Sequence, residues 1–341
     1  MQRARITDVA AHAGVSRASV SNVLRNAYGV SAEMREKVQR SIDALGYRPQ
    51  LSARAMRGAT FTVGIESPAL LGTDFLPTII DGAAEVLTRA GYDVITLPIH
   101  DVSDSADALD RLVDRQVDGI IALGTVLRSD DLERVAERTS LVAIGRHEQA
   151  GSFDTVTTDD RLGTQLALDH LYARGHRRIA HLTLGYPEML AHTLDGHVIR
   201  RRTYEQHVQT LGLDAQVIYV NPEKLYSSAA NVRTELVEVL RAEAERPTAI
   251  FAANDGLALE LLAALDELGG SAQQVSVIGF DGASIGAHPR INLTTIDQSG
   301  RALGGTAAEL LLERMNGRTA PVHRVLPPTV RPGATTFPAR A

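Results

Sequence analysis

Apolar positions near the amino end of this chain recur at three- and four-residue steps, the period of a helix with one buried face. They fall in three sets: Val9, Ala10 and Ala13; Val20, Val23 and Leu24; and Met34, Val38, Ile42 and Leu45. A hydroxyl residue precedes each set (Thr7, Ser16, Ser31), and such side chains satisfy the free N–H groups of a first helical turn. Gly14 separates the first two sets, where a tight reversal leaves no room for a side chain, and Gly46 closes the third. The pattern predicts an all-α headpiece over residues 1–48: helix, tight turn, helix, then a supporting helix. That is the helix-turn-helix layout, whose second helix lies in the major groove of DNA.

From Thr60 the period changes. Short β-branched or apolar runs appear at Phe61–Ile65, Asp93–Leu97, Gly119–Leu123, Leu141–Ile144, Ile179–Leu184, Val217–Val220, Ala249–Ala252, Val275–Phe280 and Leu293–Ile296. Helical segments alternate with them at Pro77–Arg89, Ala106–Arg115, Arg161–Arg174, Arg201–Leu211, Val232–Glu243, Gly256–Leu268 and Arg301–Arg314. Near-continuous apolar strands between amphipathic helices predict parallel sheets covered on both faces. So many strands would crowd one sheet. The expectation is an α/β core of two doubly wound lobes, with a ligand cleft between them at the carboxyl ends of the strands. A linker is expected over Tyr47–Ala59, giving a hinge at 49–60 and a core at 61–341. Within the core, the amino lobe is expected at about 61–160 plus 294–321, and the carboxyl lobe at about 161–293 plus 322–341.

Charge sharpens the division. Residues 1–60 hold ten Lys and Arg against four Asp and Glu, a balance of +6, so the rest, with 25 basic and 37 acidic residues, carries −12. A basic end on an acidic body suggests that the end alone meets a polyanion. The chain has 341 residues, ample for several domains, and its 44% hydrophobic content is ordinary for a globular protein. It has no cysteine, which excludes disulfides, thiolate metal sites and a Cys nucleophile. No secretory signal or bilayer-spanning run is evident, so a cytoplasmic, nucleoid-associated protein is expected rather than a secreted solute-binding protein or a membrane protein.

An enzyme on the doubly wound core is the main competing reading. No G-x-x-x-x-G-K-[ST] loop is present, and Gly279–Gly286 has the wrong spacing for a dinucleotide fingerprint. No nucleophile elbow or H-E-x-x-H helix is expected. Of the 11 histidines, His181, His192 and His197 lie closest together, with no metal site expected. The chain therefore reads as a non-enzyme without cofactor or metal.

Several segments belong to one recognisable series. Ile6-Thr7-Asp8-Val9-Ala10, Ala13-Gly14-Val15-Ser16, Ser19-Val20-Ser21 and Val23-Leu24 run on to Val30-Ser31, Arg35, Val38, Leu45-Gly46-Tyr47 and Pro49. The body adds Val117-Asp118-Gly119-Ile120-Ile121, Gly175-His176-Arg177-Arg178-Ile179, Ala252-Ala253-Asn254-Asp255, Val275-Ser276-Val277-Ile278-Gly279-Phe280-Asp281 and Leu293-Thr294-Thr295-Ile296. In this order and spacing they resemble the lactose-repressor (LacI/GalR) family of transcription regulators over nearly the whole chain. The resemblance implies a helix-turn-helix headpiece, a hinge helix and a two-lobed core like that of periplasmic sugar-binding proteins. It implies a regulator, with repression the expected mode, that binds an approximately palindromic double-stranded operator as a homodimer under small-molecule control.

By chemistry, Arg17 can grip guanine, Asn22 can pair with adenine and Ala18 can pack on a thymine methyl, while Ser16, Ser19 and Ser21 suit phosphate contacts. The resemblance points to positions 17, 18 and 22 as base readers, although many members have Arg where this chain has Asn22. The plainer reading is that Ser16 only caps its helix and Arg17 is a solvated charge. Leu51–Arg57 is too short to hold a helix alone in water. The resemblance implies that it folds on the operator, with Ala53 and Met56 at the DNA and Met56 as the minor-groove wedge in place of the usual Leu.

For the cleft, the resemblance points to Arg200, Asn254, Asp281 and Asp160, with Phe75 and Tyr226 as stacking faces. Arg200 stands in the Arg of an Arg-x-x-Gly turn, with Thr203 replacing the Gly. Plainer readings stay open: Asn254, Asp159 and Asp160 cap helices, and Arg200 is one of three solvated charges with Arg201 and Arg202. The expected effector is a sugar or sugar derivative, with a nucleoside as the alternative. No leucine heptad is present at the carboxyl end, so a dimer is expected.

Overall fold

The computed structural model describes residues 4–24, 29–47, 59–68, 75–100, 104–125, 127–185, 195–220, 229–242, 247–270 and 274–339. The chain forms two compact units that part between Thr60 and Phe61.

The first unit has three helices, α1 (Ile6–Ala13), α2 (Arg17–Leu24) and α3 (Ala32–Leu45). Arg5, not Thr7, occupies the cap position of α1; the Asp8 carboxylate accepts the Arg5 backbone N–H at 2.7 Å, and Thr7 lies inside the helix. Ser16 and Ser31 do cap α2 and α3, accepting from Ser19 N at 3.0 Å and Met34 N at 3.2 Å. Gly14 turns the chain between α1 and α2 with φ 60°, a conformation that costs a residue with a Cβ dearly. Val9, Ala10, Ala13, Val20, Val38 and Tyr47 form the core, with Ile6, Val23, Met34, Ile42 and Leu45 packed against it. Tyr47 is thus a core residue of the headpiece and not the start of a linker.

The second unit contains two six-stranded sheets. The first is built from β1 (Thr62–Pro68), β2 (Asp93–Ile99), β3 (Gly119–Leu123), β4 (Ser140–Ile144), β5 (Asp154–Thr158) and a late strand, β11 (His323–Leu326). Its order is β11-β5-β4-β3-β1-β2, and every pairing is parallel. One face packs on α4 (Phe75–Arg89) and α11 (Gly300–Met315) through Val63, Ile65, Ile79, Ala83, Leu87, Leu303, Ala307 and Leu311. The other packs on α5 (Ser105–Asp114) and α6 (Ser129–Ala136) through Ile120, Ala122, Leu109, Leu112 and Leu132. Alternate strand residues therefore feed two apolar layers, as a parallel sheet buried on both sides requires.

The second sheet is built from β6 (Ile179–Leu184), β7 (Gln216–Val220), β8 (Ala249–Ala252), β9 (Ser276–Asp281), β10 (Thr294–Asp297) and β12 (Thr329–Arg331). Its order is β12-β10-β9-β8-β6-β7, parallel except for β10 against β12. Helices α7 (Asp160–Ala173) and α8 (Gly196–Thr210) cover one face; α9 (Ala229–Ala242) and α10 (Asp255–Leu268) cover the other.

The lobe boundaries differ from the expectation. Thr294–Asp297 pairs with β9 and so belongs to the carboxyl lobe, whereas His323–Leu326 pairs with β5 in the amino lobe. The chain therefore crosses between lobes at Asp159, at Gln298–Ser299 and at Pro327–Pro328. The physical reason is edge pairing: β11 and β12 each complete an otherwise open edge, one in each sheet.

Candidate functional site

On the headpiece, burial of Val20 against α1 and α3 turns the opposite side of α2 to solvent. Ser16, Arg17 and Ala18 are exposed there, and Ser19, Ser21 and Asn22 are half-buried. The Ser16 and Ser19 hydroxyls lie 2.9 Å apart, so Ser16 does cap the helix, and its exposed oxygen retains capacity for a further contact. A guanidinium, a methyl and hydroxyls at the start of one exposed helix are the groups that read base edges and grip phosphates. Ala53 and Met56 lie outside the described residues.

In the second unit, the polar residues gather where the chain crosses between lobes, at the carboxyl ends of the strands. Helix α8 begins at Gly196, earlier than the sequence pattern placed it, with Asp195 as cap. Arg200 therefore stands inside the helix and points inward, so it is not a solvated charge. It is 7% exposed. Its Nε donates to Asp160 Oδ1 at 2.6 Å and its Nη1 to the Ala253 carbonyl at 2.5 Å. Its guanidinium lies 3.9 Å from the centre of the Phe280 ring, a cation–π contact.

Asp160 uses its second oxygen on His147, at 2.7 Å from Nε2. His147 follows β4, so this contact joins the amino lobe to the first residue of α7. Burial alone would push the Asp160 carboxyl up; Arg200 and His147 outweigh it and hold the group below the usual carboxylate range. The neighbouring Asp159 caps α7, accepting from Leu162 N at 2.9 Å. Asn254 likewise caps α10 through Leu257 N at 2.7 Å, which leaves its amide nitrogen outside the cap bond.

Asp281 ends β9 with φ 138°, a strained value for a residue with a side chain. It is buried, and Gln298 Nε2 donates to its Oδ1 at 2.7 Å. Burial, then the nearby charge of Asp255, push its carboxyl well above the usual range, against the pull of Arg200. Asp255 is itself buried and accepts from Ala283 N at 2.7 Å and Thr295 Oγ1 at 2.5 Å. Phe75 opens α4, half-buried, against the start of α11 at Gly300. Tyr226 lies outside the described residues.

The structure thus brings Asp160, Arg200, Asn254 and Asp281 near the lobe crossovers and sets Phe75 beside the second one. Sequence reasoning missed His147, Gln298 and the pairing of Asp255 with Asp281. Their one signal was position: each is a polar residue within three places of the end of a buried apolar strand.

Several other histidines have structural partners, among them His170, His176 and His207. His181 is buried between Phe251 and Tyr204, with ring centres 4.7 and 5.2 Å away, and its Nδ1 donates to the Phe251 carbonyl at 2.9 Å. Burial pushes it down to about 3, and burial with Arg200 pushes His197 down to about 4. Both are neutral at pH 7. Among the described residues no group of three potential ligands is placed to hold a metal ion, and His192 lies outside them. Gly282–Gly286 does spell Gly-x-Ser-x-Gly, against the expectation that no such spacing occurs. Ser284 there has ordinary helical angles, φ −68° and ψ −32°, at the head of a short 3-10 turn, without the strained strand-to-helix elbow that exposes a nucleophile.

Comparison with known proteins agrees with this architecture. Residues 5–50 match the profile described as "Bacterial regulatory proteins, lacI family", and residues 168–336 match "Periplasmic binding protein-like domain". The chain is 32% identical over 329 residues to the transcriptional regulator MalR of Streptomyces coelicolor, covering 93% of this chain and 92% of that one. It is 29% identical over 323 residues to the transcriptional repressor PurR of Vibrio atlanticus, covering 92% and 93%. Among solved structures, a lac repressor dimer bound to operator and the anti-inducer ONPF superposes with TM-score 0.81 and 25% identity, over 98% of this chain and all of that one. The regulator CelR in complex with cellobiose superposes with TM-score 0.68 and 26% identity, over 98% and 100%.

Proposed function

This chain belongs to the lacI family of bacterial regulatory proteins and is a DNA-binding transcription regulator, and from that premise we propose how it reads DNA and what switches it. It grips an approximately palindromic operator as a homodimer, with Arg17, Ala18 and Asn22 at base edges and Ser16, Ser19 and Ser21 at phosphates. Ala53 and Met56 follow in the minor groove. The observation that carries this reading is the exposed row Ser16, Arg17 and Ala18 on a capped helix, in a segment whose charge balance is +6. Two headpieces reading one duplex need twofold-related half-sites.

The core takes a hydroxyl-rich effector, a sugar or close derivative, between its lobes. Arg200 and Asp281 provide the main polar contacts. Asn254 offers its amide, Phe75 and Tyr226 offer faces for stacking, and Asp160 acts by holding Arg200. Support comes from the convergence of these groups at the lobe crossovers and from the cellobiose complex of a structural relative. Effector binding changes the lobe arrangement and with it the pairing of the headpieces; a coupling of about 1–3 kcal/mol suffices for such control.

Selection of duplexes from random DNA, followed by gel shift at rising salt, tests the reading. It predicts an enriched site with twofold symmetry and an affinity that falls linearly in log–log with salt. Recovery of no enriched sequence would refute it.

A further inference from the structure

We propose that Phe61, clamped by Asp118 and Tyr92, is a positioning residue that fixes how the tether leaves the core and so sets the spacing of the two operator half-sites; this rests on the dimeric DNA reading proposed above. Phe61 is the first residue of the second unit, directly before β1. Its φ is 52°, in the left-handed region. A glycine enters that region freely, whereas a residue with a Cβ stays there only where its surroundings over-determine it. Three contacts do so. The Asp118 carboxylate, immediately before β3, accepts the Phe61 N–H at 2.6 Å. The Phe61 carbonyl accepts from the N–H of Asp93, the first residue of β2, at 2.8 Å. The Phe61 ring lies against Tyr92, with ring centres 5.7 Å apart. Asp118 is anchored in turn, its own N–H donating to the Thr62 carbonyl at 2.8 Å. The backbone is thus held from both neighbouring strands at the point where the core begins.

The β1 ladder starts at Thr62 and needs nothing of the Phe61 side chain. What the clamp adds is a fixed direction for the chain that enters β1. One base pair added between half-sites moves them apart by roughly 3.4 Å and rotates them by about a tenth of a turn. A tether free to swivel where it joins the core absorbs such a shift, and one fixed there does not. The same restraint spares the entropy of ordering the junction when DNA is bound.

Fluorescence anisotropy on the full-length protein compares the selected operator, the same operator with one base pair added or removed at its centre, and a single half-site. Each variant is read as its ratio of affinities for selected over altered spacing, which does not depend on the fraction folded. Phe61→Gly frees φ and Asp118→Ala removes the acceptor. Both should lower that ratio by about threefold or more, the size that added backbone freedom gives, with half-site affinity unchanged. Asp118→Asn keeps an oxygen for the Phe61 N–H and should retain the parental ratio. Equal ratios in the parent, Phe61→Gly and Asp118→Ala would overturn the assignment, as would a parent indifferent to spacing. Weakening of the half-site by the same factor as the operator would also overturn it, because a positioning residue leaves single-headpiece binding alone. Selection from random DNA that returns no site with twofold symmetry is a failure of the dimeric DNA reading itself, and the role of Phe61 falls with it.

Discussion

Glu66 lies on β1 with no solvent exposure, one oxygen accepting from Ser105 Oγ at 2.7 Å and the other buried without a partner. Burial raises its carboxyl to about 7, against the opposing hydrogen bonds from Ser105 and Leu123. Below the ordinary value of 4.5 both folded and unfolded chains carry the proton, and the group contributes nothing to pH dependence. Between 4.5 and 7 the unfolded chain ionises first, so stability falls as pH rises, and above 7 the loss is complete. Glu66→Gln should therefore be more stable than the parent at pH 8, by up to about 3 kcal/mol, with the difference vanishing near pH 4.5. Urea unfolding at both pH values checks this; equal stability at pH 8 would remove the argument. On α2, replacing Asn22 should change the preferred base at one operator position, whereas Ser19→Ala should weaken all sequences alike. Selected-site sequencing of both variants distinguishes them. Arg200 and Asp281 could be singled out as cleft candidates from the resemblance, and both are buried near the lobe crossovers. Glu66 could not, because its neighbours on the chain, Ile65 and Ser67, say nothing of Ser105, which the fold brings from α5.

At the scale of elements, helices α4 and α11 are the tightest pairing in the core. A Cβ at Gly304 would overlap the Ile79 carbonyl oxygen, and one at Gly82 would overlap that of Arg301. Both glycines permit backbone-to-backbone approach between an early and a late helix, which fastens residues 300–315 to the amino lobe. Gly304→Ala should cost about 1–3 kcal/mol through overpacking, read as a lower urea midpoint with unchanged slope. The strands that apolar runs marked were found near their expected places, but Asp154–Thr158 was not marked. Its sequence, Asp-Thr-Val-Thr-Thr, has one large apolar residue, yet all five positions are buried between β4 and β11. Threonine hydroxyls make this tolerable: Thr155 donates to the Glu148 carbonyl at 3.1 Å, and Thr157 meets His147 at 3.2 Å. β11 and β12 were missed for a related reason, since short edge strands need little apolar content to pair.

For the molecule as a whole, the charge division and the change of period near residue 60 agree with the break between the two units. The double crossover near the carboxyl end was beyond the sequence, because nothing in Leu293–Ile296 or His323–Leu326 states which sheet each joins; only pairing partners far along the chain decide it. Two headpieces on one operator require a dimer, so light scattering at micromolar concentration should give about twice the monomer mass of 36.6 kDa. A stable monomer, free and on DNA, would contradict that assembly. The central claim, sequence-specific reading of DNA by α2, is tested most directly by fluorescence anisotropy on a selected operator and on a scrambled duplex of the same composition at physiological salt. The account predicts tighter binding to the operator by a factor of about a thousand or more. Equal affinity for the two duplexes would contradict it.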